Sequence, residues 1–382
     1  MENPFRPGSG VLPPYFAGRN QEIDVFKKKM SNGINGGFIQ HMAILSSWGS
    51  GKTSLLLKFK EIAKDMKCPV LPIQLYSIPE ARNFVELFVN SASFVVPPSN
   101  WQRFTNSISG FGISIIGSGI QVQRQAGYFE PQTAFQQSLK TIWENSDSRL
   151  IVVMIDDVQL IAEREQTLEI LRNAFTWASN AGYRFMVVVA GTPDVFEKFQ
   201  QAHAPLTRFF EPMILKPLSD KECKEAVSEP LKNTSVSFSD DVIDRIAALS
   251  EGNPFYVQLL ASHAFEHARE NGVGVEEFKL AFVSAINDVS VRMFDNMLAG
   301  SSPIEKKVLA AMHESGLPLK WGEMLKLAEG AGIKKTSART AVKRLVDGGL
   351  LRQITEGEHE GCYIFRDGLF REYIGAKTRG VS

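Results

Sequence analysis

A glycine-rich segment carries the residue types that bind phosphate. Gly49, Gly51, Lys52 and Thr53 follow the apolar run 42–45 and precede a leucine-rich, helix-like stretch. Glycines let backbone N–H groups approach phosphate oxygens, and the N-terminus of a helix favours negative charge. In such a loop the lysine reaches the β- and γ-phosphates, and the threonine hydroxyl binds Mg²⁺. The predicted nucleotide-binding residues of this segment are Gly49, Ser50, Gly51, Lys52, Thr53 and Ser54.

The loop departs from the full pattern GxxxxGK[ST] at its first position. The chain has Ser46 where that pattern has glycine, which is expected to tighten or distort the entry turn. Gly49 and Gly51 remain where the backbone must approach the phosphates. A chance glycine loop is the alternative, and the combination of strand, loop, Lys-Thr pair and helix disfavours it.

Two adjacent aspartates end a later apolar run. Asp156 directly follows residues 150–155, the position expected of a carboxylate that binds the water ligands of a magnesium ion. Asp157 is the candidate to orient and polarise the attacking water. Many related sites have glutamate at the second position. Because aspartate is shorter by one methylene, we expect slow hydrolysis. The alternative, a cap for the next helix, is disfavoured because adjacent buried carboxylates repel each other unless a cation is present.

Two further polar residues flank apolar runs. Thr192 follows the run 185–190, where its hydroxyl would contact the γ-phosphate or its water; an ordinary turn or N-cap role is equally open. Arg208 precedes the last strand-like run and is the candidate for an arginine finger towards a neighbouring subunit's phosphate. A solvated surface arginine is the alternative. The predicted catalytic residues are thus Lys52, Asp157, Thr192 and Arg208, and the predicted metal site is Thr53 with Asp156.

The elements that position these residues are apolar runs without polar alternation, separated by helical stretches. This arrangement indicates a parallel sheet buried on both faces. The predicted strands are 42–45, 70–76, 150–155 and 185–190, and helices are predicted at 131–143 and 166–178.

One stretch, 104–123, has no charged residue. Its alternation about Gly117-Ser118-Gly119 predicts a hairpin rather than a membrane segment, because Ser, Asn and Gln interrupt the apolar residues. After Pro217 helices follow one another. Ser219 with Glu222 forms a capping-box pattern, and Asn253-Pro254 supplies an N-cap with proline at the first helical position.

The terminal region has helical patterns at 304–314, 321–327 and 336–346, followed by two short strand patterns around a Gly/Glu turn. Three helices and a hairpin predict a winged helix, whose third helix can enter the major groove of DNA.

The predicted third helix is locally basic. Residues 332–352 hold six basic residues and one acid, Asp347, giving a local charge of +5. The turn carries Glu356, Glu358 and Glu360, which would repel a phosphate backbone, so we expect the helix rather than the turn to contact DNA. The alternative is a winged helix used for protein contacts. The predicted DNA-contacting residues are Lys335, Arg339, Lys343 and Arg344.

Composition narrows the remaining classes of protein. With 42 basic and 42 acidic residues the net charge is zero, which excludes a general polycationic coat for nucleic acid. Three widely spaced cysteines predict a reducing compartment without structural zinc or a disulfide framework. The start lacks a signal-peptide pattern, and no apolar run approaches the roughly 18 residues that span a bilayer. We therefore expect a soluble, cytoplasmic protein with no membrane partner.

Five motifs, in this order and spacing, resemble those of AAA+ ATPases in the archaeal and bacterial group that includes replication-initiation ATPases and the signal-transduction ATPases called STAND. They are GRNQEI at 18–23, the phosphate loop at 46–53, IDD at 155–157, AGT at 190–192 and EGNPFYVQLL at 251–260. The opening NPFRPGSGVLPPYFAGR also resembles the lead-in of a widespread set of ATP-binding proteins of that group. The resemblance covers nearly the whole chain.

The resemblance implies a strand order and an adenine contact. The strand before Thr192 would lie between the phosphate-loop strand and the strand that ends at Asp156, and a helical lid would follow the sheet. Gly18 and Arg19 match the family's Gly-Arg box, which places the N-terminal segment near the adenine.

The lid is also marked by a motif. Gly252, Asn253 and Pro254 match the lid motif of STAND-like members, so Arg19 and Pro254 complete the predicted nucleotide-binding set. Many AAA+ proteins have an arginine near the start of this helix that contacts the γ-phosphate. This chain has Phe255 and Tyr256 there, so no lid arginine from the same chain is expected.

The predicted fold class is α/β, a P-loop AAA+ parallel sheet with a helical lid and a C-terminal winged helix. The predicted domains are a lead-in at 1–17, the ATPase domain at 18–216 with its hairpin at 104–123, the lid at 217–298 and the winged helix at 299–382.

The predicted function is ATP-binding and slow hydrolysis with Mg²⁺, acting as a switch that engages double-stranded DNA. A STAND-like signalling or defence ATPase is the alternative, one that oligomerises on ATP and uses its winged helix for protein contacts. An ATP-dependent homo-oligomer is expected, and the expected partners are double-stranded DNA or, in the alternative, a protein. A small-molecule kinase is disfavoured, because no acceptor pocket or lid arginines are evident.

Overall fold

The computed structural model describes residues 2–8, 10–75, 80–109, 114–116, 119–121, 130–315, 318–355 and 357–378. Their contacts divide the chain into two compact units. The first is Gly8–Lys216, and the second is Pro217–Ser382 together with Met1–Pro7. The predicted lead-in at 1–17 is therefore shared between the units rather than forming one segment.

The first unit is built on a five-stranded sheet. The strands of the sheet are β1 (His41–Leu45), β2 (Val70–Gln74), β5 (Ile151–Asp156), β6 (Phe185–Gly191) and β7 (Phe210–Ile214). A separate pair consists of β3 (Ser114–Ile116) and β4 (Gly119–Gln121). The sheet order is β2-β5-β6-β1-β7, with every pair parallel. Strand β6 thus lies between β1 and β5, which confirms the strand order that the resemblance implied.

Helices cover both faces of this sheet. They are α1 (Asn20–Ile34), α2 (Lys52–Asp65), α3 (Ala81–Asn90), α4 (Trp101–Ser109), α5 (Pro131–Glu144), α6 (Glu165–Asn180), α7 (Val195–His203) and α8 (Leu206–Phe209). Alternate residues of β5 enter opposite cores: Val153 lies in one and Val152 in the other. On the Val152 side, Phe26 of α1 stacks on Phe59 of α2 at 4.0 Å between ring centroids. Burial on both faces explains why these strands are continuous apolar runs.

The predicted hairpin at 104–123 is shorter than expected. Residues 104–109 belong to α4, where Trp101 and Phe104 share one helix face and stack at 5.2 Å. Among the described residues of the stretch, β3 and β4 form the antiparallel pair, with Ile115 opposite Ile120. The turn residues 117–118 lie outside the described residues. Because Trp101 and Phe104 are three residues apart, they pack together on one face of α4, which extends to Ser109. The absence of charged residues had predicted a hairpin strand at this position.

The second unit is mainly helical. Its helices are α9 (Asp220–Leu231), α10 (Asp240–Ser250), α11 (Pro254–Glu266), α12 (Val275–Val289), α13 (Asp295–Ala299), α14 (Pro303–Glu314), α15 (Trp321–Gly330), α16 (Lys335–Asp347) and α17 (Gly368–Thr378). Its short strands are β8 (Ser237–Phe238), β9 (Gly272–Val273), β10 (Leu351–Gln353) and β11 (Tyr363–Phe365). The predicted capping box at Ser219 and the cap at Asn253 are both present.

Gly252 is required where α10 turns into α11. Its φ is +76°, and a Cβ there would lie 2.4 Å from the Leu218 carbonyl oxygen. The Leu218 N–H donates to the Gly252 carbonyl at 2.9 Å, so the two backbones are in direct contact. Only glycine accommodates both conditions.

The N-terminal residues pack onto α11. Phe5 is buried and lies 6.1 Å from Phe238 and 6.4 Å from Phe265, measured between ring centroids. The Asn3 amide donates to the Ser262 hydroxyl at 2.9 Å. These contacts explain why the first residues group with the helical unit.

Helix α17 was not predicted, and it joins the terminal region to the helices before it. The Tyr373 hydroxyl donates to Asp295 at 2.6 Å, and the Tyr256 hydroxyl donates to Asp367 at 3.0 Å. Phe294 packs on Phe370 at 5.2 Å between centroids. The predicted boundary near 299 therefore lies within one packed unit. Among the described residues, no helix combines the length and apolarity needed to cross a membrane.

Candidate nucleotide-binding site

The phosphate loop connects β1 to α2 at the carboxyl edge of the sheet. Gly49 and Gly51 have φ of 78° and 86°, in the left-handed region that favours glycine. Gly51 is the N-cap of α2, so the first N–H groups of that helix face the loop. The Ser50 hydroxyl donates to the Ser47 carbonyl at 2.8 Å and holds the turn.

Ser46 has a structural role that the sequence pattern did not reveal. Its N–H donates to the Gly191 carbonyl at 3.2 Å, and its hydroxyl donates to the Leu215 carbonyl at 3.1 Å. The side chain thus ties the entry of the loop to β6 and to the segment after β7. The departure from glycine adds a buried hydrogen bond at this position.

Lys52 folds back over its own loop. Its ammonium donates to the carbonyls of Ser46 and Ser47, both at 2.8 Å. Burial lowers the pKa of Lys52, while the negative charges of Asp156 and Asp157 act in the opposite direction. A phosphate would replace two neutral acceptors with charged oxygens, which form stronger hydrogen bonds to an ammonium.

Thr53 and Asp156 meet although they are 103 residues apart. The Thr53 hydroxyl donates to Asp156 Oδ2 at 2.7 Å, and Asp156 Oδ1 accepts the Asp157 N–H at 3.0 Å. Burial raises the pKa of Asp156, and the charge of Asp157 adds to this effect. The two predicted metal-site residues are therefore in direct contact, and the carboxylate is one that a cation would stabilise.

The donor set fits Mg²⁺ bound together with a nucleotide. Among the described residues, no cluster of three or more His, Cys, Asp or Glu side chains is arranged to hold a metal. Magnesium in nucleotide sites is held by few protein ligands and completes its shell with phosphate oxygens and water. Thr53 and Asp156 match that requirement.

Asp157 adopts a left-handed conformation, with φ of 55°. This conformation is uncommon outside glycine, asparagine and aspartate. Its Oδ1 accepts the Gln159 side-chain N–H at 2.9 Å. The Gln159 amide thus restrains the Asp157 side chain. Sequence analysis missed this contact, since only the place of Gln159 two residues after the acid could have indicated it.

Thr192 follows β6 at the same edge of the sheet. Its hydroxyl forms a hydrogen bond with Asp194, which is the main cause of the lowered pKa of that carboxyl. Gly191 before it is closely packed, because a Cβ there would lie 2.8 Å from Val158. The structure therefore shows Thr192 bonded within the turn that begins α7.

Arg19 and Ser54 tie the N-terminal part of this unit to the loop. Arg19 donates to the Ser50 carbonyl at 3.3 Å and to the Lys216 carbonyl at 2.7 Å. The Ser54 hydroxyl donates to the Val11 carbonyl at 3.0 Å. The segment around Val11 thus lies at the first turn of α2. Pro254 belongs to the second unit, where it is the first residue of α11.

Arg208 lies at the opposite edge of the sheet. It is exposed in α8, directly before β7, whereas the phosphate loop follows the carboxyl end of the neighbouring β1. Five residues of strand, about 16 Å, separate the two edges. Arg208 therefore lies away from the nucleotide site of its own sheet, and its role as a finger towards a neighbouring subunit stays a prediction.

The comparisons with known proteins decide the family. The sequence profile described as Novel STAND NTPase 1 matches residues 12–271, more than half of the chain. The chain belongs to the novel STAND NTPase 1 family.

Solved structures show the same fold as this STAND NTPase. The Aeropyrum pernix ORC2 protein is 14% identical, with a TM-score of 0.63 and 98% of each chain covered. A Walker-type ATPase of Pyrococcus abyssi is 15% identical, with a TM-score of 0.58, and covers 94% of this chain and 96% of its own. Cdc6p of Pyrobaculum aerophilum is 14% identical, with a TM-score of 0.53 and 97% of each chain covered. No curated protein sequence matches the chain.

The basic residues of the STAND NTPase that were predicted to contact DNA lie on α16. Lys335, Arg339 and Lys343 are exposed. Arg344 points towards α14, where its guanidinium lies 3.8 Å from the carboxylate of the buried Glu305. The Arg344 side chain is nevertheless 69% exposed, so all four predicted residues are open to solvent. Their contact with DNA stays a prediction.

The raised pKa of Asp156 predicts a stability cost in this STAND NTPase. The folded protein holds a proton on Asp156 more tightly than the unfolded chain, so ionisation above the ordinary range of the carboxyl opposes folding. Asp156→Asn should raise the unfolding temperature of the nucleotide-free protein at about pH 8, and the gain should shrink as the pH falls towards about 4. Thermal unfolding across this range, with the exposed Asp147→Asn as the control, measures it. A pH-independent difference would contradict this account of the site.

Proposed function

We propose that this STAND NTPase binds ATP with Mg²⁺, hydrolyses it slowly, and uses its nucleotide state to control contact with DNA through residues 299–382. The observation that carries the proposal is the Thr53–Asp156 hydrogen bond, which joins the phosphate-binding helix to an acidic strand end. A phosphate loop alone binds anions. A loop joined to a partly buried carboxylate also provides for a cation.

In the proposed mechanism each residue has one task. Lys52 and the first N–H groups of α2 bind the phosphates, and Thr53 and Asp156 hold the metal ion. When bound, Mg²⁺ neutralises charge on the phosphate oxygens. Asp157, oriented by the Gln159 amide, accepts a hydrogen bond from the attacking water. Thr192 either contacts that water after leaving Asp194 or keeps its turn role.

Arg208 is proposed to act on the nucleotide of a second copy. Its exposed position at the amino edge of the sheet supports this assignment, because a finger for another subunit must project from the surface. The active form is then a homo-oligomer, with sites shared between neighbouring subunits.

Two contacts within the second unit support a coupling route from the lid to the terminal region. Tyr256 lies in the first turn of α11, the segment that carries the lid motif, and its buried ring places the hydroxyl on Asp367. Glu251, just before that helix, lies 3.7 Å from Arg352. We propose that rearrangement of this turn on nucleotide binding moves α17 and the hairpin with it.

The terminal region is proposed to be a winged helix. Helices α14, α15 and α16 followed by the antiparallel pair of β10 and β11 support this assignment. The exposed Lys335, Arg339 and Lys343 give α16 the positive face that a DNA-contacting helix needs.

A second candidate is a signalling or defence switch that uses the terminal region for protein contacts. Membership of a STAND family favours it. So do four large apolar side chains that are exposed among the described residues of the helical unit, namely Leu280, Val283, Val291 and Ile304. Loss of DNA binding in the test below, with ATP-dependent assembly retained, would favour this candidate.

Steady-state ATPase assays test the enzymatic part. Lys52→Ala should abolish ATP binding, because the phosphates lose their only side-chain cation from the loop. Asp157→Asn should retain ATP binding but slow turnover by about 10²-fold or more, as loss of a positioned base does. Lys64→Ala, an exposed lysine in the last turn of α2, is the matched control and should be unaffected. Turnover at the wild-type rate in both site variants would contradict the assignment.

Gel-shift titration of duplex DNA at several salt concentrations, with and without a non-hydrolysable ATP analogue, tests the DNA part. The double variant Arg339→Ala, Lys343→Ala should weaken binding and lower the slope of log affinity against log salt by about 2, one for each lost phosphate contact. Lys307→Ala, an exposed lysine on α14, should leave the slope unchanged. Absence of binding at low salt would remove DNA from the proposal.

A further inference from the structure

A concave site lies on the exposed face of α16. It is a depression open to solvent with a volume of about 400 Å³, within the roughly 300–1,000 Å³ typical of small-ligand sites. We call it the aromatic-basic pocket. Its defining residues are Trp321, Arg339, Thr340, Lys343, Asp347 and Tyr363. Its lining thus combines two aromatic rings, two cations and one carboxylate.

The aromatic wall of the pocket is held in place by backbone hydrogen bonds. Leu319 and Tyr363 exchange two of them, at 3.1 and 2.7 Å. Trp321 begins α15, and the preceding Lys320 N–H is capped by Glu323 at 2.7 Å. The two rings lie 5.7 Å apart at 52° and form an open wedge. The wedge is therefore preformed, which reduces the entropy cost of ligand binding.

The basic rim follows from the register of α16. Ala338 and Val342 are buried, so Arg339 and Lys343, each one residue further on, share the outer face one turn apart. Two cations thus lie beside the aromatic wedge. A ligand that contacts both the cations and the rings has a flat ring and an anionic group close to it.

A nucleotide has this combination, and the acid of the pocket favours it over other anions. Asp347 is the only acid between residues 332 and 352, and it also lines the cavity. A carboxylate there repels a bare phosphate or an acidic peptide, yet it accepts hydrogen bonds from the N–H groups of a base edge. A paired base in duplex DNA has both faces covered by its neighbours, so only an unpaired base can stack in the wedge.

We propose that the aromatic-basic pocket binds one unpaired nucleotide of DNA, with the base against Trp321 and Tyr363 and the adjacent phosphate on Arg339 and Lys343. The inference rests on the proposed DNA contact of α16 and sharpens it. The preferred target becomes DNA that offers an unpaired base beside a duplex, rather than an uninterrupted duplex.

Fluorescence anisotropy with the full chain tests this inference. The probes are a fully paired duplex and the same duplex carrying one extrahelical nucleotide. The wild-type protein should bind the second probe about tenfold more tightly, the increment expected of one stacked base. Trp321→Ala should remove that preference and leave duplex binding unchanged, and Trp321→Phe should keep most of the preference. Lys326→Ala, an exposed lysine of α15 outside the pocket, is the control.

The outcomes separate this inference from the proposed function. Equal wild-type binding to both probes would overturn the pocket assignment, while DNA binding through Arg339 and Lys343 would stand. A preference retained in both Trp321→Ala and Tyr363→Ala would also overturn it. No binding to either probe would overturn both proposals. Tighter binding of a poly-glutamate peptide than of either probe would assign the pocket to an acidic protein segment.

Discussion

The hydrogen bond between Thr53 and Asp156 is the constraint on which the nucleotide site depends. It fixes the first turn of α2 against the end of β5, two strands away across β6. That contact requires a parallel sheet in which the carboxyl ends of β1 and β5 lie at the same edge. The buried apolar residues of β1, β5 and β6 form that sheet. The same contact leaves a partly buried carboxylate whose pKa is raised by burial. The fold thus carries a charge that a bound cation would stabilise, a common cost of a binding site.

Much of this site could be predicted from sequence, because its determinants are local. Apolar runs without alternation located the strands to within about two residues. The polar residues directly after these runs located the edge of the sheet where the nucleotide site lies. The Gly-Lys-Thr motif predicted the phosphate loop and the start of α2. The predicted caps at Ser219 and Asn253 are present for the same reason, since a cap involves only neighbouring residues.

What could not be predicted depends on contacts between distant parts of the chain. The Ser46 hydroxyl donates to the Leu215 carbonyl, and these two residues become neighbours only after the sheet has formed. Phe5 packs against Phe265, and this contact places the first residues in the helical unit. The helical start of the 104–123 stretch depends on the buried Phe104. The orientation of Arg344 towards Glu305 also has no local signal, because charge counting treats every arginine on a helix alike.

The most direct test of the central claim, an ATP site shared between copies of the chain, is a mixed-subunit ATPase assay. Lys52→Ala retains Arg208 but loses its own phosphate contact, and Arg208→Ala has the reverse defect. Each variant alone should be nearly inactive, since an arginine finger contributes on the order of 10³-fold to turnover. Mixing the two should restore turnover well above either alone, through sites that combine an intact loop with an intact arginine. No recovery at any mixing ratio, or full activity of Arg208→Ala alone, would contradict the account.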